Sequence, residues 1–193
     1  MGDYRSSNTK LANEGEQITL RDSLGGLIQH FTYSTASPWP QSPDGRGPSL
    51  ILIAPRNDPD PSDPENWRPS STFSGKPGGS DSRSFSGSPN ADLDHNGVPD
   101  LIDHGLNDNG TPRIQMTGAQ LSFEFTLNLQ ADDVIPEVQI STDLRHWSDA
   151  LPIFSGKSSQ HLNNGGLQVS YTAPASALSS QRSYLRLRFR LSQ

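Results

Sequence analysis

Leu121-Ser122-Phe123-Glu124-Phe125-Thr126-Leu127-Asn128-Leu129 sets the fold class of this chain. Large apolar residues take every second position and polar residues fill the gaps. A period of two puts the apolar set on one face of an extended strand and leaves the other face wet. Such a strand belongs in an antiparallel sheet covered on one side. The pattern returns further out. Glu137 to Ser141, Leu167 to Tyr171 and Tyr184 to Leu191 alternate likewise. In the last, Leu185, Leu187, Phe189 and Leu191 share one face, and Arg186, Arg188 and Arg190 take the other. Asn-Gly-Gly and Pro-Ala-Ser stretches separate these runs. Together they predict a small antiparallel β-sandwich over residues 111–193.

The other end of the chain has fewer strands. Gln17 to Arg21 and Leu27 to Tyr33 flank the turn Asp22-Ser23-Leu24-Gly25-Gly26 and predict a β-hairpin. A proline-rich loop from Pro38-Trp39-Pro40 to Gly47-Pro48 follows, then a strand over Ser49 to Ile53. Pro59, Pro61 and Pro64 deny ladder donors to the stretch from Asn57 to Trp67, which is expected to be loop.

Composition excludes several functions. A net charge of −6 argues against nucleic acid as a partner, because phosphate contacts need a basic surface. Without cysteine there is neither a disulfide nor a thiolate zinc site. The longest apolar run, Leu50 to Ala54, is far short of the ~20 residues that span a bilayer, so no membrane insertion is expected. Met1 to Glu16 has no apolar stretch of the signal-peptide kind. That leaves an intracellular protein or the later part of a longer chain. The second is expected, with a secreted or cell-surface location and a signal peptide upstream.

Between the strand-rich ends lies Asp92-Leu93-Asp94-His95-Asn96-Gly97-Val98-Pro99-Asp100-Leu101-Ile102-Asp103. Oxygen-bearing side chains stand at the first, third, fifth, ninth and twelfth places and glycine at the sixth. This spacing resembles an EF-hand-type calcium loop, in which a curling backbone turns alternate side chains toward a hard cation. Asp92, Asp94 and Asn96 supply side-chain oxygens. Val98 offers only its carbonyl. Asp100 acts directly or through water, and Asp103 closes the shell. An Asp at the twelfth place and the Ser/Gly-rich run before the loop depart from calcium sensors. They bring the stretch closer to thrombospondin type 3 repeats and dockerins, and imply a dissociation constant of about 10⁻⁴ to 10⁻³ M. Pro99 suits the start of a short helix, with Leu101, Ile102 and Leu106 as its apolar face.

The first segment has a resemblance of its own. Leu11 to Asp22, Phe31-Thr32-Tyr33, Pro38-Trp39-Pro40, Gly47-Pro48-Ser49-Leu50, Pro64-Glu65-Asn66-Trp67 and Gly75-Lys76-Pro77-Gly78 look, in order, like the later strands of a bacterial lamin-tail domain. That family implies an immunoglobulin-like β-sandwich without catalytic residues, found in secreted multi-modular proteins. An immunoglobulin sandwich takes about 100 residues and about seven strands, so the opening half is expected upstream of Met1. An incomplete sandwich also leaves an unpaired edge and an open core. Ser141-Thr142-Asp143-Leu144-Arg145-His146-Trp147 and Tyr184-Leu185-Arg186-Leu187-Arg188 resemble a fibronectin-like C-terminal module of secreted proteins of the verrucomicrobial type.

The expected architecture is therefore all-β: two small β-sandwich modules, the first immunoglobulin-like and N-terminally incomplete, joined by a calcium loop and short helix. The expected boundaries are 1–79, a flexible linker at 80–91, the loop and helix at 92–110, and the last module at 111–193. The function implied is non-catalytic: a calcium-stabilised region of a secreted bacterial protein, acting as spacer, surface-display or adhesion module. The alternative is the accessory, carbohydrate-binding tail of an extracellular enzyme, with a protein or polysaccharide at the cell surface as partner.

Weaker features carry bland expectations. Trp39 and Trp67 are expected to pack on the first module rather than stack on sugars. His95 and His104 have no short metal-binding spacing and are expected in solvent. The arginine row is expected to be a wet face guarding an edge, with an anionic partner as the sharper alternative. Gly156-Lys157-Ser158 lacks the leading glycine and following helix of a phosphate loop. Asn109-Gly110-Thr111 is a formal glycosylation sequon followed by Pro112. Asp132-Asp133 has no catalytic companion.

Overall fold

Alternating sequence becomes paired strand throughout the computed structural model, which describes residues 11–12, 14–107, 111–178 and 182–192. The fold is all-β with one short helix. In chain order the strands are β1 (Gly15–Arg21), β2 (Leu27–Ser34), β3 (Pro48–Leu52) and β4 (Trp67–Phe73). The helix α1 (Asp100–Gly105) follows. Then come β5 (Arg113–Thr117), β6 (Gln120–Asn128), β7 (Val134–Ser141), β8 (Ser148–Asp149), β9 (Gly156–His161), β10 (Gly166–Pro174) and β11 (Tyr184–Leu191). The chain divides into two compact units, Met1–Ser70 and Ser71–Gln193.

In the first unit, β1 and β2 form an antiparallel hairpin with Ile18 opposite Phe31 and Glu16 opposite Tyr33. Its turn is built by Asp22, whose Oδ1 accepts from the N–H groups of Leu24 (2.9 Å) and Gly26 (2.7 Å). Gly25 supplies the left-handed backbone the turn needs, at φ 87°. The strands β3 and β4 make a second two-stranded sheet. Large aromatic rings do most of the packing. Phe31 stacks on Trp67 at 5.5 Å, and Trp67 lies 6.0 Å from the buried Trp39. The Trp67 indole N–H donates to the Pro61 carbonyl at 2.9 Å, so a partly buried polar group has its partner. Toward the hairpin tip this cover runs out, and Leu20, Leu24 and Leu27 are exposed.

The second unit is a sandwich. One sheet runs β5-β6-β10-β9 and the other β11-β7-β8, and the neighbours of β6 and β7 pair with them antiparallel. Phe123, Phe125, Val138, Ala150 and Val169 form the buried centre, and Leu127, Ile140, Leu167, Tyr171, Leu185 and Leu187 pack around it. These come from both sheets on alternate positions, which is how two inner faces make one core.

Four strands escape the sequence reading. β9 (Gly156–His161) has no large apolar residue, and β5 is exposed along its length. β4 contains Pro69, and β8 is only two residues long. Each is held by a neighbour rather than by its own pattern, as for β9, which pairs with β10 from Thr172↔Gly156 to Leu167↔His161.

Residues 80–91 have neither helix nor strand, yet they are fastened to the second unit. Buried Asp81 accepts from the Ser71 N–H at 2.8 Å and the Ser71 hydroxyl at 2.6 Å. The Arg83 N–H donates to the Gln130 carbonyl at 2.7 Å, Ser82 bonds Asp132, and the Phe85 N–H donates to Asp133 at 2.5 Å. Ser/Gly composition predicts a free linker; side-chain and backbone hydrogen bonds to the β6–β7 turn hold it instead. Among the described residues no helix is long and apolar enough to cross a membrane.

Candidate metal centre

The Asp92–Asp103 stretch is a closed loop leading into α1. Its neck is tied by the Asp100 N–H, which donates to the Ala91 carbonyl at 2.7 Å, and by the Leu93 N–H, which donates to Asp100 Oδ1 at 2.9 Å. Gly97 takes the left-handed conformation at φ 86°, as its place in the motif predicts, and His95 does so at φ 61°. Those two residues curl the backbone so that its N–H groups face the acidic side chains. Asp92 accepts from the Asn96 N–H at 3.1 Å and, through its other oxygen, from the Gly97 N–H at 3.0 Å. Asp94 Oδ1 accepts from the Asn96 N–H at 3.2 Å.

Asn96 is the centre of the loop. Its side-chain oxygen accepts from the Val98 N–H at 2.7 Å. Its side-chain nitrogen lies 3.0 Å from Asp94 Oδ2 and 3.0 Å from Asp103 Oδ2. One amide N–H₂ therefore bridges two carboxylates nine residues apart in sequence. Asp92, Val98 and Asp100 are half-buried, while Asp94, Asn96 and Asp103 are exposed. Of the six residues in the sequence motif, Asp94, Asn96 and Asp103 are joined directly, and Asp92 and Asp100 hold the backbone around them. Among the described residues, no three His, Asp or Glu side chains by themselves form a group that could hold a metal ion.

The helix connects this loop to the second unit. Leu101 is buried, and Leu106 forms a β-bridge with Leu127. The Asn107 N–H donates to the Thr126 carbonyl at 3.0 Å. At Gly105 the backbone lies against the Phe189 ring, where a Cβ would sit only 2.6–2.9 Å from ring carbons. His104 corrects the expectation of solvent exposure. Its side chain is 9% exposed, its Nε2 lies 2.9 Å from Asp133 Oδ1, and Phe85 covers its ring at 5.4 Å. Its own carbonyl accepts from Asn128 Nδ2 at 3.0 Å. The available signal was helical phase: with Leu101 inward, His104 three places on falls on the same face. His95 is exposed, as expected.

The remaining candidates read as structure. Trp39 is buried and Trp67 half-buried under aromatic neighbours. Ser141, Asp143 and His146 come together without forming a nucleophile–base pair, because the Ser141 hydroxyl and the His146 ring both bond to Asp143, at 3.0 and 2.7 Å. That carboxylate also caps the N–H groups of Arg145 and His146, each at 2.8 Å. The His146 N–H, then its ring, then the Arg145 N–H hold the Asp143 pKa well below the usual carboxylate range. Gly156-Lys157-Ser158 opens β9 with no helix after it. The sequon at Asn109 lies outside the described residues.

Compared with known protein families, curated proteins and solved structures, the chain matches none.

Proposed function

We propose that this chain is a non-catalytic, calcium-stabilised modular region of a secreted or cell-surface protein, in which the Asp92–Asp103 loop fixes α1 and the residues that lead into it. The supporting observation is the Asn96 amide nitrogen held 3.0 Å from both Asp94 and Asp103. A weakly positive N–H₂ group is the only donor shared by these two carboxylates in the loop. Asp92, Asp94, Asn96, Asp100 and Asp103, with the Val98 carbonyl, would hold the ion. Their donors are all oxygen, the chemistry a hard cation takes, and no imidazole or thiolate is among them. Bound calcium supplies the charge that offsets four clustered carboxylates. The chain's own part is to keep those oxygens together, through the curl at His95 and Gly97, and to pass that order to the sandwich through Leu101, His104 and Gly105. The lamin-tail and fibronectin-like resemblances belong to the same proposal. They support a spacer, display or adhesion role rather than an enzyme.

Isothermal calorimetry with millimolar calcium tests the reading. Heat of binding is expected for the intact chain and none for Asp94→Ala. Protease digestion around residues 84–100 is expected to slow with calcium and recover with chelator. A flat calorimetric trace, with digestion indifferent to chelator, would overturn the metal assignment.

The sugar-binding alternative loses its platforms, since Trp39 is buried and Trp67 is stacked on Phe31. Tryptophan fluorescence that shifts on adding a neutral polysaccharide would restore it.

A further inference from the structure

We propose that the outer face of β11 is a docking strip for a linear acidic polysaccharide, gripped by the guanidinium forks of Arg186 and Arg190. This goes beyond the proposed calcium role and uses none of its residues. A row of arginines on a strand is commonly a wet face, with side chains free to swing. Here Arg186 and Arg190 are each tied by a hydrogen bond. The Arg186 Nε donates to Gln139 Oε1 at 2.8 Å, and its guanidinium lies 4.0 Å over the Trp147 ring. The Arg190 Nε donates to Glu137 Oε1 at 2.8 Å. Arg188 lies between them, its Nη1 4.0 Å from Glu137 Oε2. The cross-strand register makes this regular, with Arg186 opposite Gln139 and Arg188 opposite Glu137.

The atom used in both short bonds is Nε. That leaves the two terminal nitrogens of Arg186 and of Arg190 as a planar fork, the geometry that accepts a carboxylate or sulfate in bidentate fashion. Pinning at Nε and by the indole also removes much of the rotamer entropy that a free arginine loses on binding. Side chains two apart on a strand are about 7 Å apart, so the outer forks are about 13 Å apart with Arg188 midway. Three cations share this face with two carboxylates, Glu137 and, opposite Gln139, Asp149, which also accepts from the Leu151 N–H at 3.0 Å.

The partner follows from what surrounds the forks. Protein hot spots need an apolar or aromatic anchor site. Here Trp147 is already covered by Arg186, and Ile135, in register with Arg190, is half-buried. Duplex nucleic acid carries a charge about every 1.7 Å along its axis, much denser than a single row of forks about 7 Å apart can match. A linear glycan with spaced carboxylates or sulfates needs only the row of forks.

The test is binding of the full chain to polygalacturonate and to chondroitin sulfate, in low salt with chelator present so that calcium bridging plays no part. Saturable binding is expected to at least one glycan. Arg186→Lys with Arg190→Lys keeps the charge but removes the forks, and is expected to weaken binding about tenfold. Arg113→Gln with Lys157→Gln changes charge on the other sheet of the same unit and is expected to leave it within about twofold of the parent. Melting curves check that each variant is folded. No binding to either glycan, equal binding by the double-lysine variant, or tighter binding to polyglutamate or single-stranded DNA would each sink the proposal. Calorimetry of calcium binding is a separate readout, so failure here leaves the loop reading standing.

Discussion

The hairpin of the first unit and the central pair of the second are written in the same code and end in different surroundings. In β1, Ile18 and Leu20 alternate with polar residues as Leu121, Phe123 and Phe125 do in β6, and Ile18 lies opposite Phe31 of β2, whose own run is broken by the adjacent Leu27-Ile28. Yet Leu20 and Leu27 are 54% and 60% exposed, while Leu121 and Phe123 are 2% and 1%. Period-two alternation says which residues share a face. It does not say what covers that face. In the second unit a three-stranded sheet supplies the cover, and in the first a few aromatic rings cover only part of the hairpin.

That contrast is broken most forcefully at Phe123. Phe123→Ala is expected to cost about 3–5 kcal/mol, since the ring is buried against Phe125 at 5.6 Å and the site can collapse little. Leu20→Ala or Leu27→Ala is expected to cost less than about 0.5 kcal/mol. Urea unfolding of each variant measures both. A hairpin leucine that costs as much as Phe123 would mean that something covers it in solution.

Next in size is the helix seat. Gly105→Ala places a methyl against the Phe189 ring and is expected to cost about 1–3 kcal/mol through overpacking. The same substitution at Gly118, where a Cβ meets nothing but φ is +62°, probes backbone strain alone, expected at about 1 kcal/mol. Equal melting temperatures for the Gly105 variant and the parent would show that the Phe189 ring moves freely aside, and that α1 is less firmly seated than its contacts imply.

How much of this was legible depends on whether a residue's partner is local. Strands β1, β2, β6, β7, β10 and β11 announce themselves, because one face is apolar. The left-handed turn at Gly97 follows from a motif whose parts lie within twelve residues. β9 could not be read, because Lys157-Ser158-Ser159-Gln160 is strand only by virtue of β10 beside it. The 80–91 segment misled for the same reason: its partners, Gln130, Asp132 and Asp133, lie some fifty residues away. His104 is half legible, since helical phase places it inward but only the fold supplies Asp133. The pinning of Arg186 by Trp147 needs the turn after β7 as well as the register of β11.

Calcium is expected to have a smaller effect than the Phe123 substitution, toward the lower end of the range for Gly105. At 10 mM ion and a dissociation constant of about 10⁻³ M, linkage gives about 1.4 kcal/mol to the second unit. The melting temperature should rise by a few degrees, and Asp94→Ala should abolish the rise. The first unit, which contains none of the proposed ligands, should melt unchanged. A calcium shift confined to the first unit's transition would reverse the assignment.

The smallest expected effect separates the two acidic turns of the second unit. In the Asp92–Asp103 loop several carboxylates compete for few donors. At Asp143 one carboxylate has donors from two N–H groups, a hydroxyl and a ring. Its folded pKa is depressed, so the stability it contributes is fully present above the unfolded value of about 4 and is lost as pH falls from there through the lower folded value. Asp143→Asn keeps the shape and removes the charge. The variant should melt slightly below the parent at pH 7, because the charge strengthens the hydrogen bonds it accepts. The gap should narrow as pH drops well below 4, since the parent then loses its charge too. Screening at this exposed turn keeps the whole effect small. A gap that stays constant down to strongly acid pH would place the folded pKa at the ordinary value, because an unshifted group adds no pH-dependent stability.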